Sequence, residues 1–238
     1  MPKYKIIPPI ICLCLDKRKE HWKELQRQAE LLGLDFTPYI CGNGEDSELK
    51  YNQIDEVNPD VSGWMYSAPG HQINHYNALN GHKGMIALAK ERGLDSVLLM
   101  EDDSLFLQRF DQVVSTLEKY DEWVEYLRKF HLVYLGWWRG SETDEFNLAV
   151  EENYKTYKNI VGLEIIPGDG VGGLHGCIIR KELYDLILSC PMNDPLDSQF
   201  NRNRANIPSL IICPKIIHTK DMYSYCEGIN LCRKRLDD

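Results

Sequence analysis

Ser96-Val97-Leu98-Leu99-Met100-Glu101-Asp102-Asp103-Ser104 is the stretch around which this chain is organised. An apolar run stops abruptly at three carboxylates. A run without alternation fits a strand covered on both faces, as in a parallel sheet flanked by helices. Open α/β sheets bind their ligands at the carboxyl ends of such strands, which is where Glu101, Asp102 and Asp103 fall. Three adjacent carboxylates repel one another. A hard divalent cation, Mg²⁺ or Mn²⁺, relieves that repulsion and commonly takes a few carboxylates plus substrate phosphate oxygens. The plain alternative is a solvated acidic turn after a core strand.

Upstream, Ile10–Leu15 reads as a first buried strand that breaks into Asp16-Lys17-Arg18-Lys19-Glu20. A helix follows with Trp22, Leu25, Ala29 and Leu32 on one face, ended by Gly33, and strand character resumes over Leu34–Ile40. This β-α-β opening is the first unit of a doubly wound fold. Residues 42–70 read as a polar loop, punctuated by Gly and Pro. Helix returns over Gln72–Arg92, with Gly81 as a mild break and Gly93 as its end.

Downstream, Leu107–Phe130 has the pattern of one long amphipathic helix, and His131–Gly136 that of a strand leading into Trp137-Trp138-Arg139. The two tryptophans suit stacking on a sugar or base, or capping the core. Residues 140–160 are polar and weakly patterned. The Gly168–Gly173 turn lacks dinucleotide spacing and fits either close approach to a ligand or a flexible loop. A strand over Leu174–Arg180, a helix over Lys181–Leu188, a helix from Pro195 and a strand over Ile207–Cys213 complete the pattern, with a fraying tail from Glu227. Asp197 sits where helix caps sit.

The 238 residues suffice for one substantial α/β domain, and 43% apolar with 26% charged residues is ordinary globular composition. A net charge of −9 argues against a nucleic-acid partner. No signal peptide and no membrane-length apolar window is present in the sequence. Eight cysteines form no C-x-x-C pair, which points to free thiols in a reducing compartment, the cytoplasm. His71, His75 and His82 fall near one helical face. That spacing suits zinc, but the zincin pattern fails at Gln72, and surface or hydrogen-bonded histidines are the commoner use.

Taken in order, several segments resemble the family 25 glycosyltransferases, which include lipopolysaccharide sugar transferases and collagen galactosyltransferases. Leu15-Asp16-Lys17-Arg18 is similar to the family's N-L-D-R-R start, Gly81-His82 to its Ser-His, and Leu98–Asp103 to its I-L-E-D-D. Tyr134-Leu135-Gly136 resembles the D-x-x-x-L-G strand. Gly176–Arg180 followed by Pro195-Leu196-Asp197 resembles A-Y-L-I-S-R … P-V-D. Cys14 and Gly81 depart from the usual Asn and Ser, and the 42–70 loop has no counterpart.

The resemblance implies a single GT-A-like α/β/α domain over 1–238, with a mostly parallel, doubly wound sheet. Residues 1–103 would form a nucleotide-binding half and 104–238 an acceptor-binding half. It implies an inverting, Mn²⁺- or Mg²⁺-dependent hexosyltransferase that takes a UDP-sugar donor and a glycan or glycoconjugate acceptor. Asp103, Glu101 and His218 are the expected metal ligands. Leu15, Asp16, Arg18, Glu101, Asp102 and Lys220 are expected around the nucleotide, with Lys215 behind Lys220; Asp102 has the further option of pointing back to hold the loop. Asp197 is the expected base, with Asp169 in reserve. A sugar nucleotidyltransferase and a non-catalytic nucleotide-sugar-binding module are the main alternatives; a modified-base transferase acting on DNA is a further one that the acidic balance disfavours.

Overall fold

The structure, a computed structural model, describes residues 3–41, 69–139, 154–157, 160–165, 171–192, 194–220, 222–224 and 229–231. Its centre is an eight-stranded sheet. Strands β1 (Ile10–Leu15), β2 (Phe36–Cys41), β3 (Ser96–Glu101) and β5 (Leu132–Tyr134) belong to it. So do β7 (Tyr154–Tyr157), β8 (Ile160–Glu164), β10 (Cys177–Arg180) and β11 (Ser209–Cys213). The order across the sheet is β2-β1-β3-β10-β5-β11-β8-β7. Following each parallel and antiparallel pairing across that order, only β10 and β8 run against the other six strands. The sheet is mostly parallel, and the α/β/α layering expected from the sequence is present.

Alternation of side chains across the sheet explains why the central strands read as unbroken apolar runs. Ile10, Cys12, Cys14, Leu98, Met100 and Val133 meet helix α1 (Lys19–Leu31), helix α3 (Phe110–Glu118) and helix α4 (Asp121–Leu127) through Trp22, Leu25, Phe110, Leu117 and Trp123. On the opposite face Ile11, Leu13, Leu99, Tyr134 and Ile179 meet α2 (Pro69–Glu91), α5 (Tyr184–Ser189) and α6 (Leu196–Arg202) through Leu79, Met85, Tyr184 and Phe200. Gly33 and Gly93 take φ of 69° and 65° just beyond α1 and α2, the left-handed turn that ends a helix at low cost to glycine.

Three expectations change. The single helix over Leu107–Phe130 is two, because Tyr120 is extended (φ −124°, ψ 106°) and packs against the core between them. The weakly patterned 140–160 segment contributes β7, and β8 follows it. They pair with each other and β8 with β11, so the sheet itself supplies the order that the local pattern does not show. Helix α2 begins at Pro69, inside the expected loop; the rest of that loop lies outside the described residues.

Three two-stranded ribbons are set on this frame: β4 (Ser104–Phe106) with β12 (Ile217–Thr219), β6 (Trp138–Arg139) with β9 (Val171–Gly172), and β13 (Met222–Ser224) with β14 (Ile229–Leu231). Among the described residues no helix is long and apolar enough to cross a membrane. The six cysteines described as free are Cys12, Cys14, Cys41, Cys177, Cys190 and Cys213.

Candidate functional site

The three carboxylates of the central strand go three ways. Asp102 turns back toward β1: its Oδ2 accepts the Leu15 amide at 2.9 Å and its Oδ1 the Arg18 guanidinium at 2.8 Å. Asp102 is 4% exposed, and burial pushes its carboxyl up while Arg18 and the amide pull it down. Of the two uses open to Asp102, the structure shows it holding the loop after β1. Arg18 and the Leu15 amide are engaged in the same contact, whereas Asp16 beside them is exposed.

Asp103 leads into the β4/β12 ribbon. Its carbonyl accepts the Lys220 amide at 2.7 Å, and His218 sits in register with Leu105, two residues beyond Asp103. The ribbon is anchored at both ends. Ser104 Oγ accepts the Glu101 amide at 3.1 Å and donates to the His175 carbonyl at 2.9 Å. Ile216 and Ile217 amides both donate to the Leu135 carbonyl, at 2.9 and 3.1 Å. The backbone therefore brings Asp103, His218 and Lys220, distant in sequence, to the carboxyl end of β3. Lys220 also lies within electrostatic reach of Glu24 on α1, a carboxyl held down to about 2 chiefly by Arg27.

Glu101 faces the opposite neighbour. Its Oε1 lies 3.2 Å from Nε2 of His82 on α2. Asp197, in the first turn of α6, is held by two backbone amides: Gly173 donates to Oδ2 at 3.2 Å and Ser198 to Oδ1 at 2.9 Å. Burial raises the Asp197 carboxyl above its ordinary value; the two amides pull it down, Glu101 pushes it further up and His82 draws it down. Those last two influences place Glu101, His82 and Asp197 within electrostatic reach of one another. Gly173, at φ 93°, continues β9, whose partner is the Trp138–Arg139 strand.

The Trp137 indole donates to the Ile212 carbonyl at 3.3 Å, with Lys215 Nζ 5.0 Å from its ring centre. That places Lys215 over the tryptophan. Asp169 and the side chains of Trp138, His71 and His75 lie outside the described residues. Among the described residues no three His, Cys, Asp or Glu side chains converge closely enough to hold a metal, so Asp103, Glu101 and His218 share a strand end without forming a closed ligand cage. A cavity of about 330 Å³ lies elsewhere, between the sheet and α3 and α4, and its lining includes none of Glu101, Asp103, Asp197 or His218.

His82 is the residue that motif reading undervalued. The signal was present in Gly81 and Gly84, two glycines in a helix interior on either side of it.

No family model matches this chain and no curated protein matches its sequence. Among solved structures it is similar to the inositol-1-phosphate CTP transferase from T. maritima (14% identity, 92% of this chain and 91% of that one, TM-score 0.45). It is also similar to a glycosyltransferase involved in the glycosylation of the major capsid of PBCV-1 (10% identity, 93% and 97%, TM-score 0.45). A197 from STIV superposes less well (10% identity, 85% and 81%, TM-score 0.35). Likenesses this distant say nothing about chemistry, which has to be argued from the side chains.

Proposed function

We propose that this chain is an inverting, metal-dependent hexosyltransferase that moves a sugar from a UDP-sugar to a hydroxyl of a glycan or glycoconjugate. One observation carries the reading: an acidic strand end, a histidine-bearing ribbon and a half-buried, amide-held aspartate meet at the carboxyl edge of a mostly parallel sheet. The donor set, carboxylate oxygens with one imidazole, suits Mn²⁺ or Mg²⁺ better than a soft metal. Asp103 and His218, with Glu101, would hold that ion, which when bound neutralises charge on the departing nucleoside diphosphate. Two or three protein donors without a closed cage leave room for phosphate oxygens in the coordination sphere.

The remaining roles belong to the chain's own groups. The Asp102–Arg18 pair shapes the turn that carries Leu15 and Asp16 toward the nucleotide. Lys220 supplies positive charge to the diphosphate. Asp197 takes the proton of the attacking hydroxyl; its raised affinity for protons makes it a better base than a solvated carboxylate. Residues 1–103 serve mainly the nucleotide and 104–238 the acceptor, with the Trp137 region as its platform.

The test is UDP release from a panel of UDP-sugars, with Mn²⁺ and with chelator, by wild type and Asp103→Ala. Metal-dependent release from one donor, abolished by the substitution, is expected. Pyrophosphate as the product points to a nucleotidyltransferase, and metal-dependent UDP binding without turnover to a binding module. Absence of UDP binding refutes the proposal.

A further inference from the structure

Helix α2 breaks a rule of composition on the turn nearest the sheet. Gly81 and Gly84 each cost about 1 kcal/mol of helix propensity relative to alanine, and they bracket His82. A Cβ on Gly81 would lie 2.5 Å from Leu13 Cδ1 on β1, and one on Gly84 would overlap the Tyr39 hydroxyl on β2. The bare backbone lets α2 lie closer to β1 and β2 than a helix carrying side chains there.

That close approach delivers His82, 5% exposed, to the last residue of the central strand. An ionised carboxylate only accepts hydrogen bonds, so in the 3.2 Å contact it is Nε2–H of His82 that donates to Glu101. The Glu101 side chain keeps 32% exposure. The grip comes from the α2 side.

We infer that His82 is a positioning residue: its imidazole fixes the orientation in which the Glu101 carboxylate meets the nucleotide-sugar donor. The inference rests on the transferase reading above and deepens it. A histidine that merely fastens α2 to β3 would make the same hydrogen bond, and the two roles separate in a double-mutant cycle.

The cycle comprises wild type, His82→Leu, Glu101→Gln and the double variant, with His82→Gln as the conservative replacement. UDP release in Mn²⁺ is read as kcat and KM separately, beside thermal melts. His82→Leu is expected to lower kcat/KM about 10- to 100-fold, the usual effect of removing a partner that orients a ligand. His82→Gln, which keeps an N–H of similar reach, should recover most of that loss. The double variant should be no worse than Glu101→Gln alone, because both substitutions disable one unit. Should His82→Leu fail to fold, His82→Asn, polar but too short to reach Glu101, replaces it in the cycle. Losses that multiply, or a His82→Leu enzyme within about twofold of wild type, overturn the inference while leaving an active wild type in place. A wild type that neither binds nor turns over UDP-sugars overturns the transferase reading and this inference with it.

Discussion

Replacing Asp102 by Asn tests whether the middle carboxylate of the triplet holds the fold or performs chemistry. The substitution keeps a carbonyl for the Leu15 amide and removes the charge that faces Arg18, whose side chain is 12% exposed. Removing one partner of a buried ion pair costs about 3–5 kcal/mol when the orphaned charge has no escape. Arg18 stands at the edge of the buried region and can swing toward water, and burial already disfavours the Asp102 anion. Both facts reduce the loss to about 2–3 kcal/mol. For a chain of this size each kcal/mol moves Tm by roughly 2–4 °C, so a drop of roughly 4–12 °C is expected.

The assay is thermal unfolding of wild type, Asp102→Asn, Arg18→Met and the double variant. The double variant should be more stable than the sum of the single losses predicts, because no unpaired charge remains buried. UDP release by Asp102→Asn at a temperature well below its Tm should stay within about tenfold of wild type. An unchanged Tm together with abolished turnover would refute the reasoning and return Asp102 to the chemistry.

Three further outcomes follow from the same geometry. Gly136→Ala places a Cβ 2.8 Å from the Ile217 carbonyl and 2.7 Å from the His175 ring; backbone on one side leaves no room to yield, so about 1–3 kcal/mol of stability should be lost, with weaker UDP–Mn²⁺ binding as the His218 ribbon is displaced, and a variant matching wild type in both melting and titration would contradict this. Asp197, its folded pKa raised, works as a base only above that value, so kcat/KM should fall as pH drops through a limb lying above the ordinary carboxylate range near 3.9. The sign for stability is opposite to that of a salt-bridged carboxylate. Between the unfolded and folded pKa the native state holds more protons, so Asp197→Asn should lessen the decline of stability as pH rises through that window; urea unfolding across pH reads it, and an unchanged slope would count against burial as the cause.

What the sequence could reveal depended on where the information lay. Val97–Met100 announced a strand covered on both sides because both sheet faces are packed, by α3 and α4 on one and α2 on the other. Gly33 and Gly93 marked helix ends through a local backbone demand. Tyr154–Tyr157 carried no such mark. Its order comes from pairing with β8, and β8 in turn from β11, about fifty residues later. The apolar period over Leu107–Phe130 ran through Tyr120 unchanged, since the residues of two helices packed on one face keep a common stripe. Motifs nominated Asp102, Asp103 and Asp197 as candidates. The division of labour among the carboxylates required knowing that Arg18 reaches Asp102, that Gly173 reaches Asp197 and that His82 reaches Glu101.

Buried polarity gives the strongest reason to place function at this end of the sheet. Of the ten buried polar residues described, His82, Asp102, Ser104, His175, His218 and Thr219 lie at the end of β3, in the ribbon that continues it, or against one of them, while Asp194, Gln199, Arg204 and Ser209 surround α6 and the start of β11. Burying such groups costs stability unless each finds a partner, and apolar residues would have packed the same space more cheaply. The face under α3 and α4 shows the contrast: there Phe110, Val114, Leu117 and Trp123 pack on the strands as an ordinary core. A fold selected for stability alone has no reason to concentrate histidines and carboxylates behind one strand end. Local rules give way at functional sites, and here they give way together: two glycines inside α2, a buried ion pair at the β1 turn, and an aspartate whose proton affinity is raised in the first turn of α6. The first brackets the histidine that lies against Glu101, the second is adjacent in the chain to Asp103, and the third is Asp197 itself, so the chemistry is best sought among those carboxylates.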